Sequence, residues 1–377
     1  MTRPETLLVL NAGSSSLKYQ VVELPSGRML LGDHVERVAR DGWGDTLQQV
    51  VAAVEDAGLA HRVSAVGHRV VHGGDLRDPV LIDDDVVDRL DELSRLAPLH
   101  NPPALEGIRH AREAYSRLPQ VAVFDTAFFT HLPEVATTYA IDRDVAAAEG
   151  IRRYGMHGIS HEYVAARTAE LLERDLTDLD QITLHLGNGA SAAAIRGGRP
   201  LETSMGLTPL EGLVMGTRGG DVDPGVVLHL LRHGGYDADR LDDLLHHHSG
   251  LQGLAGTNDF RDLLTAVDGG DESARLAYDV YCHRVRKYVG AYLAVLDGAD
   301  VVVFTGGVGE NVARVREDAL ARLDRLGIEV DPARNRDAGS GPAVISMPSS
   351  RVSVVVVPTD EELSIARQTS ALVARVA

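Results

Sequence analysis

Short apolar runs alternate with amphipathic stretches along this chain from one end to the other. The runs at 7–11 (LLVLN), 121–125 (VAVFD), 182–186 (ITLHL), 301–304 (VVVF) and 352–357 (VSVVVV) are rich in β-branched residues and bounded by Gly, Pro or Asp. Such runs read as strands. Their nearly unbroken apolar character predicts burial on both faces, as in a sheet covered by helices. Between 272 and 297, Ala277, Tyr281, Val285, Tyr288, Tyr292 and Leu296 recur three or four residues apart and make one apolar helical face. A further helix is expected from about 309 to 326, opening at a Gly-rich turn and closing at Gly327. The last helix opens at TDEEL, with Thr359 as cap and Glu362 closing a capping box. This alternation predicts the α/β class.

Two segments look alike. VLNAGSSSLKYQVV and LHLGNGASAAAI each read as a strand, a turn of Gly, Ser or Asn, and a second strand, about 170 residues apart. They hint at two domains on one plan, although Gly-rich hairpins are common in unrelated proteins. The length of 377 residues suits two domains, or three.

Charge narrows the chemistry. With 55 acidic against 37 basic side chains, the net charge of −18 argues against general nucleic-acid binding. A small anion held by a local cluster of Arg and His remains open. The single Cys282 excludes an internal disulfide framework, fits a reducing compartment, and reads as a packing residue of the long helix. No apolar run approaches 18 residues and the N-terminus lacks a signal-peptide pattern, so a cytoplasmic protein with no membrane partner is expected.

Three loops of small residues carry candidate phosphate chemistry: NAGSSSLK (11–18), LGNGAS (186–191) and FTGGVGEN (304–311). Small residues let the backbone approach a ligand, and Ser hydroxyls, N–H groups and Lys18 suit phosphate oxygens. Each is equally readable as a plain turn; together they favour a nucleotide. Cationic groups cluster in GHRVVHGG (67–74, with His68, Arg69 and His72), RRYGMHGISHEY (152–163, with His157 and His161) and GTRGGDVDPG (216–225, with Arg218). Asp125, after a buried strand, reads either as a helix cap or as a carboxylate at the strand end where α/β sheets place ligands. Glu361 and Glu362 suit a helix's first turn. His246–His248 read as a solvated helix end rather than a metal site.

These residues resemble the acetate kinase family. VLNAGSSSLKY, GHRVVHGG, LAPLHNPP, VFDTAF, YGMHGISH, HLGNGAS, ETSMGLTPLEGLVMGTRGGDVDP, NDFRDL, FTGGVGEN and PTDEELSIAR occur in the family's order from residue 8 to 367. The resemblance implies the acetate and sugar kinase, heat-shock ATPase and actin superfamily: two similar α/β domains with a nucleotide cleft between them. The expected domains are 1–148 with 363–377, and 149–362 carrying most of the nucleotide site. By the same resemblance, Arg69 and Arg218 bind the acyl carboxylate and the transferring phosphoryl group. His157 stabilises that group, and Asp125 is the active-site aspartate. Asn11 and Glu361 assist Mg²⁺, with Mn²⁺ as the alternative. Lys18, Ser14 and Ser16 form the phosphate-side hairpin. His185, Leu186, Gly187, Asn188 and Gly189 form one nucleotide loop, and Gly307, Val308, Gly309, Glu310 and Asn311 the other. Asp259, Phe260 and Arg261 contact adenosine. Val71, Leu99, Met156 and Pro209 line the acyl pocket. Partners implied are acetate or acetyl phosphate, ATP or ADP, and a second copy in a homodimer. The family's YGFHGTSH reads YGMHGISH here, so the acyl pocket is where this chain departs from its relatives. A short-chain acyl kinase for propionate is the alternative.

The implied reaction makes chemical sense. A carboxylate titrating near 4 is ionised at pH 7 and needs no general base. The difficulty is bringing it onto a triphosphate, which calls for fixed cations and donors around the γ-phosphoryl rather than a protein nucleophile.

Overall fold

The first apolar run becomes strand β1 (Thr6–Ala12), flanked by β2 (Ser16–Glu23) in an antiparallel hairpin and by β4 (Ala65–Val70) in parallel. The computed structural model describes residues 5–13, 16–36, 38, 42–98 and 100–376. β3 (Arg28–Glu36), β5 (Val80–Leu81) and β6 (Gln120–Phe124) complete a sheet ordered β3-β2-β1-β4-β6-β5. Side chains of β1 alternate between two cores. Leu8 and Leu10 pack with Trp43, Leu47, Leu105 and Ile108 of two helices, while Leu7 and Val9 pack with Ile365 and Ala366 of the terminal helix Glu361–Val376. Fully burying a Leu or Val side chain contributes about 1.5–3 kcal/mol, so both helical layers are tied strongly to these strands.

A second sheet repeats the plan. Strands β7 (Asp180–Leu186), β8 (Ala190–Arg196), β9 (Arg199–Thr203), β10 (Val301–Thr305), β11 (Ala343–Val344) and β12 (Ser353–Val356) run in the order β11-β12-β10-β7-β8-β9. Reversed, this is the first sheet strand for strand, with the same parallel and antiparallel pairs. Even the register shift between the second and third strands of each meander recurs, at Val21/Val22 and at Ala194/Ile195. The two hairpins alike in sequence are β1–β2 and β7–β8. The chain forms two compact units: Met1–Thr130, Met156–Tyr163 and Asp360–Ala377, then His131–Gly155 and Val164–Thr359.

The long helix lies at Glu272–Val295, with Cys282 buried in it and its thiol pushed up to about 12 by burial. Two expectations need correction. The helix expected at 309–326 is broken into Gly306–Asn311, Ala313–Leu320 and a 3₁₀ turn at Asp324–Leu326. At the first break Arg316 donates to the carbonyls of Gly309 (2.9 Å) and Glu310 (2.8 Å), which a continuous helix would need for its own amides, and the second break lies at Arg322, whose φ is 68°. At the terminal helix Asp360, not a Thr359–Glu362 box, is the cap, accepting from Leu363 N at 2.9 Å.

Candidate active site

In the first sheet the register lines up candidates across neighbouring strands. Lys18 on β2 pairs with Asn11 on β1, and Asn11 pairs with Arg69 on β4. Asp125 follows directly on β6. All four lie near the carboxyl ends of β1, β4 and β6 or opposite them, and the terminal helix brings Glu361 and Glu362 to the same place. Arg69 donates through Nη2 (2.6 Å) and Nε (3.2 Å) to the two oxygens of Asp125, and through Nη1 to Asn11 Oδ1 (3.1 Å). Asn11 Nδ2 donates to Glu361 (3.2 Å) and Glu362 (2.9 Å), and Lys18 Nζ to Glu362 (2.8 Å). One continuous network therefore joins five residues singled out from sequence with Glu362, which the sequence assigned to a cap.

Electrostatics sharpens the picture. Burial opposes the charge on Arg69, but Asp125 and then Glu361 outweigh it and hold its pKa above the usual arginine value. Burial pushes the Glu361 carboxyl up, Arg69 pulls it back, and Asp125 and Glu362 add to the rise. Three carboxylates share two cations here. Hard oxygens with a residual negative charge are the donor set that Mg²⁺ takes, through one or two protein groups and otherwise phosphate and water.

His157 sits beside this network at φ 59°, a left-handed conformation that costs a non-glycine residue energy. The next residue explains how it is held. Gly158 N donates to the Asp125 carbonyl at 2.9 Å, and a Cβ at Gly158 would fall 2.1 Å from that oxygen. Only glycine permits so close an approach. Val71 and Met156 are buried nearby in sequence, whereas Ile159 packs into the core under the terminal helix. Ser16 begins β2, while Ser14 and Leu99 lie outside the described residues.

In the second unit, His185–Gly189 form the β7–β8 turn, with Leu186 buried and Asn188 exposed. Thr305 pairs with His185 across β10 and β7, so residues 306–311 leave the sheet beside that turn. Gly307 and Asn311 are exposed and Val308 is half-buried; Gly309 packs on Leu186. The Glu310 carboxylate accepts from Gly306 N (2.9 Å) and Thr359 N (3.1 Å). Asp259 caps the helix Phe260–Asp268 and pairs with the exposed Arg261, whose hydrogen bond lowers its pKa to about 2. Phe260 is buried against Tyr281.

Arg218 has the opposite setting to Arg69. Among the described residues no carboxylate pairs with it. Its Nη1 donates to the Pro209 carbonyl (2.8 Å), and burial lowers its pKa to about 10. The turn that carries it is fixed to the nucleotide-loop candidate: Gly216 N donates to Asn188 O at 2.9 Å, where a Cβ at 216 would lie 1.9 Å from Asn188 Oδ1. His246, expected in solvent, is instead buried. It donates to the Asp242 carbonyl, and its own carbonyl accepts from Thr217 Oγ1 (2.7 Å) beside Arg218.

Known proteins resemble this chain over nearly all of its length. The acetokinase family model matches residues 34–367. An acetate kinase of Corynebacterium jeikeium is 50% identical, with 97% of this chain and 98% of that protein covered. The crystal structure of Porphyromonas gingivalis acetate kinase superposes with a TM-score of 0.90 at 40% identity, covering 98% of this chain and all of that one. A propionate kinase from Francisella tularensis gives 0.91 at 35% identity, covering 97% and 99%. With the family model matched over most of its length and a curated relative half identical across it, this chain belongs to the acetokinase family.

Proposed function

We propose that this chain transfers the γ-phosphoryl group of ATP to acetate, reversibly and in line, giving acetyl phosphate and ADP. The observation that carries this reading is Arg218: a half-buried guanidinium with no carboxylate partner among the described residues, in a protein of net charge −18. Such a group is a preorganised anion site. Arg69 supplies a second guanidinium, oriented by Asp125 and Asn11 for a planar carboxylate. Acetate arrives ionised, so Asp125 acts as an organiser of Arg69 and not as a base. His157 and Arg218 stabilise the charge on the transferring group. Lys18 and residues 185–189, 259–261 and 307–311 hold the nucleotide. Oxygens of Asn11 and Glu361 would hold Mg²⁺ or Mn²⁺. When bound, the ion neutralises β- and γ-phosphate charge.

Propionate kinase is the second reading, favoured by Met156 and by the likeness to the Francisella enzyme. A hydroxamate assay with acetate, propionate and butyrate separates the two. Acetate should show the highest kcat/KM, propionate an appreciable one and butyrate a poor one; a higher value for propionate would reverse the assignment.

We also infer a cytoplasmic homodimer. Among the described residues no helix is long and apolar enough to cross a membrane. The helix Pro224–His233 buries none of its side chains, and Val226, Leu228 and Leu231 are 40–47% exposed. That apolar surface supports pairing with a second copy.

A further inference from the structure

The segment from Ser204 to Arg218 contains no helix or strand, so something other than backbone ladders must fix it. Its second half is tied at Gly212, Gly216 and Thr217 to Asp221, Asn188 and His246, and its first half, up to residue 211, is held largely by three side chains. Arg153 donates through Nη1 to the carbonyls of Ser204 (3.3 Å) and Met205 (3.1 Å) and through Nη2 to Glu211 (2.7 Å). Its guanidinium lies over the Tyr139 ring, 5.5 Å from the centroid. The Tyr139 hydroxyl donates to the Glu211 carboxylate and accepts from Leu207 N (3.1 Å). The amides of Tyr154 and Gly155, next in sequence to Arg153, both donate to the Gly206 carbonyl, at 3.0 and 3.3 Å. Positions 204, 205, 206, 207 and 211 are thus each anchored. Pro209 lies among them, and its carbonyl is the one that receives Arg218 Nη1.

We propose that Arg153, Tyr139 and Glu211 are positioning residues, which set the Pro209 carbonyl and through it the aim of the Arg218 guanidinium during phosphoryl transfer. The inference rests on the role given to Arg218 above. A charged fork is sensitive to such support because its donors must meet a charge that develops only in the transition state. None of these hydrogen bonds reaches residues 185–189 or 307–311, so nucleotide affinity should be spared.

The test is a double-mutant cycle. Tyr139→Phe keeps the ring under Arg153 and removes only the hydroxyl. It should lower kcat on the order of tenfold, with KM for ATP within about twofold. Placed on Arg218→Ala, it should change kcat by less than about twofold, because its target is gone. Glu211→Gln, run through the same cycle, covers the case in which Tyr139→Phe folds poorly. A full tenfold loss added to Arg218→Ala, or a single variant with wild-type kcat, overturns the proposal. Near-normal turnover by Arg218→Ala alone would instead overturn the reading of Arg218, and the positioning role with it.

Discussion

Arg69 and Arg218 are the same residue type in opposite electrostatic settings, and the difference predicts different behaviour. Arg69 is neutralised in advance by Asp125 and leans toward Glu361, 3.8 Å away. Arg218 has no carboxylate partner among the described residues, and burial draws its pKa down to about 10; in the proposed reading its charge serves a ligand. Arg218→Ala should therefore lose on the order of 10³ in kcat, the scale of an arginine finger. Arg218→Lys should recover little, since a point charge lacks the planar fork; a lysine variant with near-normal turnover would remove this role. Met156 raises a separate matter. It is buried, unbranched and able to swing among rotamers, whereas a Phe ring, as in the motif it resembles, would make a rigid wall. One extra methylene is worth about 0.8 kcal/mol when buried, and discrimination over one methylene is about 1–3 kcal/mol. Met156→Phe should thus raise the acetate-to-propionate ratio of kcat/KM and leave KM for ATP unchanged. An unmoved ratio would show that Met156 does not wall the acyl pocket.

At the scale of elements, the central strands carry a pH dependence that has nothing to do with catalysis. His68 on β4 is buried and donates from Nε2 to Gln120 Oε1 of β6 at 2.8 Å. Burial pushes its pKa down to about 4 from 6.5. Between those values the unfolded chain binds a proton that the folded chain refuses, so stability falls as pH drops from 6.5 toward 4. The loss should approach about 3 kcal/mol. His68→Gln should flatten that part of the profile in urea titrations at pH 7 and pH 4.5; an identical loss in variant and wild type would exclude His68 as its source. Sequence patterns revealed these strands because runs such as VAVFD and VVVF are buried on both faces and leave no polar alternation to misread. The hairpins showed through their Gly, Ser and Asn turns. The break at Val312 did not show, since a side chain arriving from Arg316, not a local helix breaker, takes the carbonyls. Glu362 was hidden for a related reason: the spacing that suits a capping box also delivers a carboxylate to Asn11 and Lys18. His246 likewise has no local signature, because its burial depends on the Thr217 turn.

At the scale of the whole molecule, duplication organises the chemistry. Asn11, Arg69 and Asp125 stand at the carboxyl ends of β1, β4 and β6, and His185, Gly306 and Thr359 at or just beyond those of β7, β10 and β12. One topological position, used twice, holds the carboxylate-rich network in the first unit and the small-residue loops in the second. The proposed homodimer would draw on another part of the second unit. The helix Pro224–His233 is capped by Asp223 and begins with Pro224, so it is locally well specified, yet it buries no side chain of its own. Exposed Val226, Leu228 and Leu231 make it costly to leave in water and useful against a second copy. A stable dimer needs about 800 Å² per partner, so this helix would form the centre of a larger contact. If the chain pairs as proposed, the wild type should sediment as a dimer at micromolar concentration and Leu228→Glu as a monomer, because it places a charge where the apolar contact would form. The monomer's own stability should change by no more than about 0.5 kcal/mol, as for other exposed positions. A Leu228→Glu variant that remains dimeric would move the interface off this helix, and a wild type that sediments as a monomer would overturn the homodimer itself.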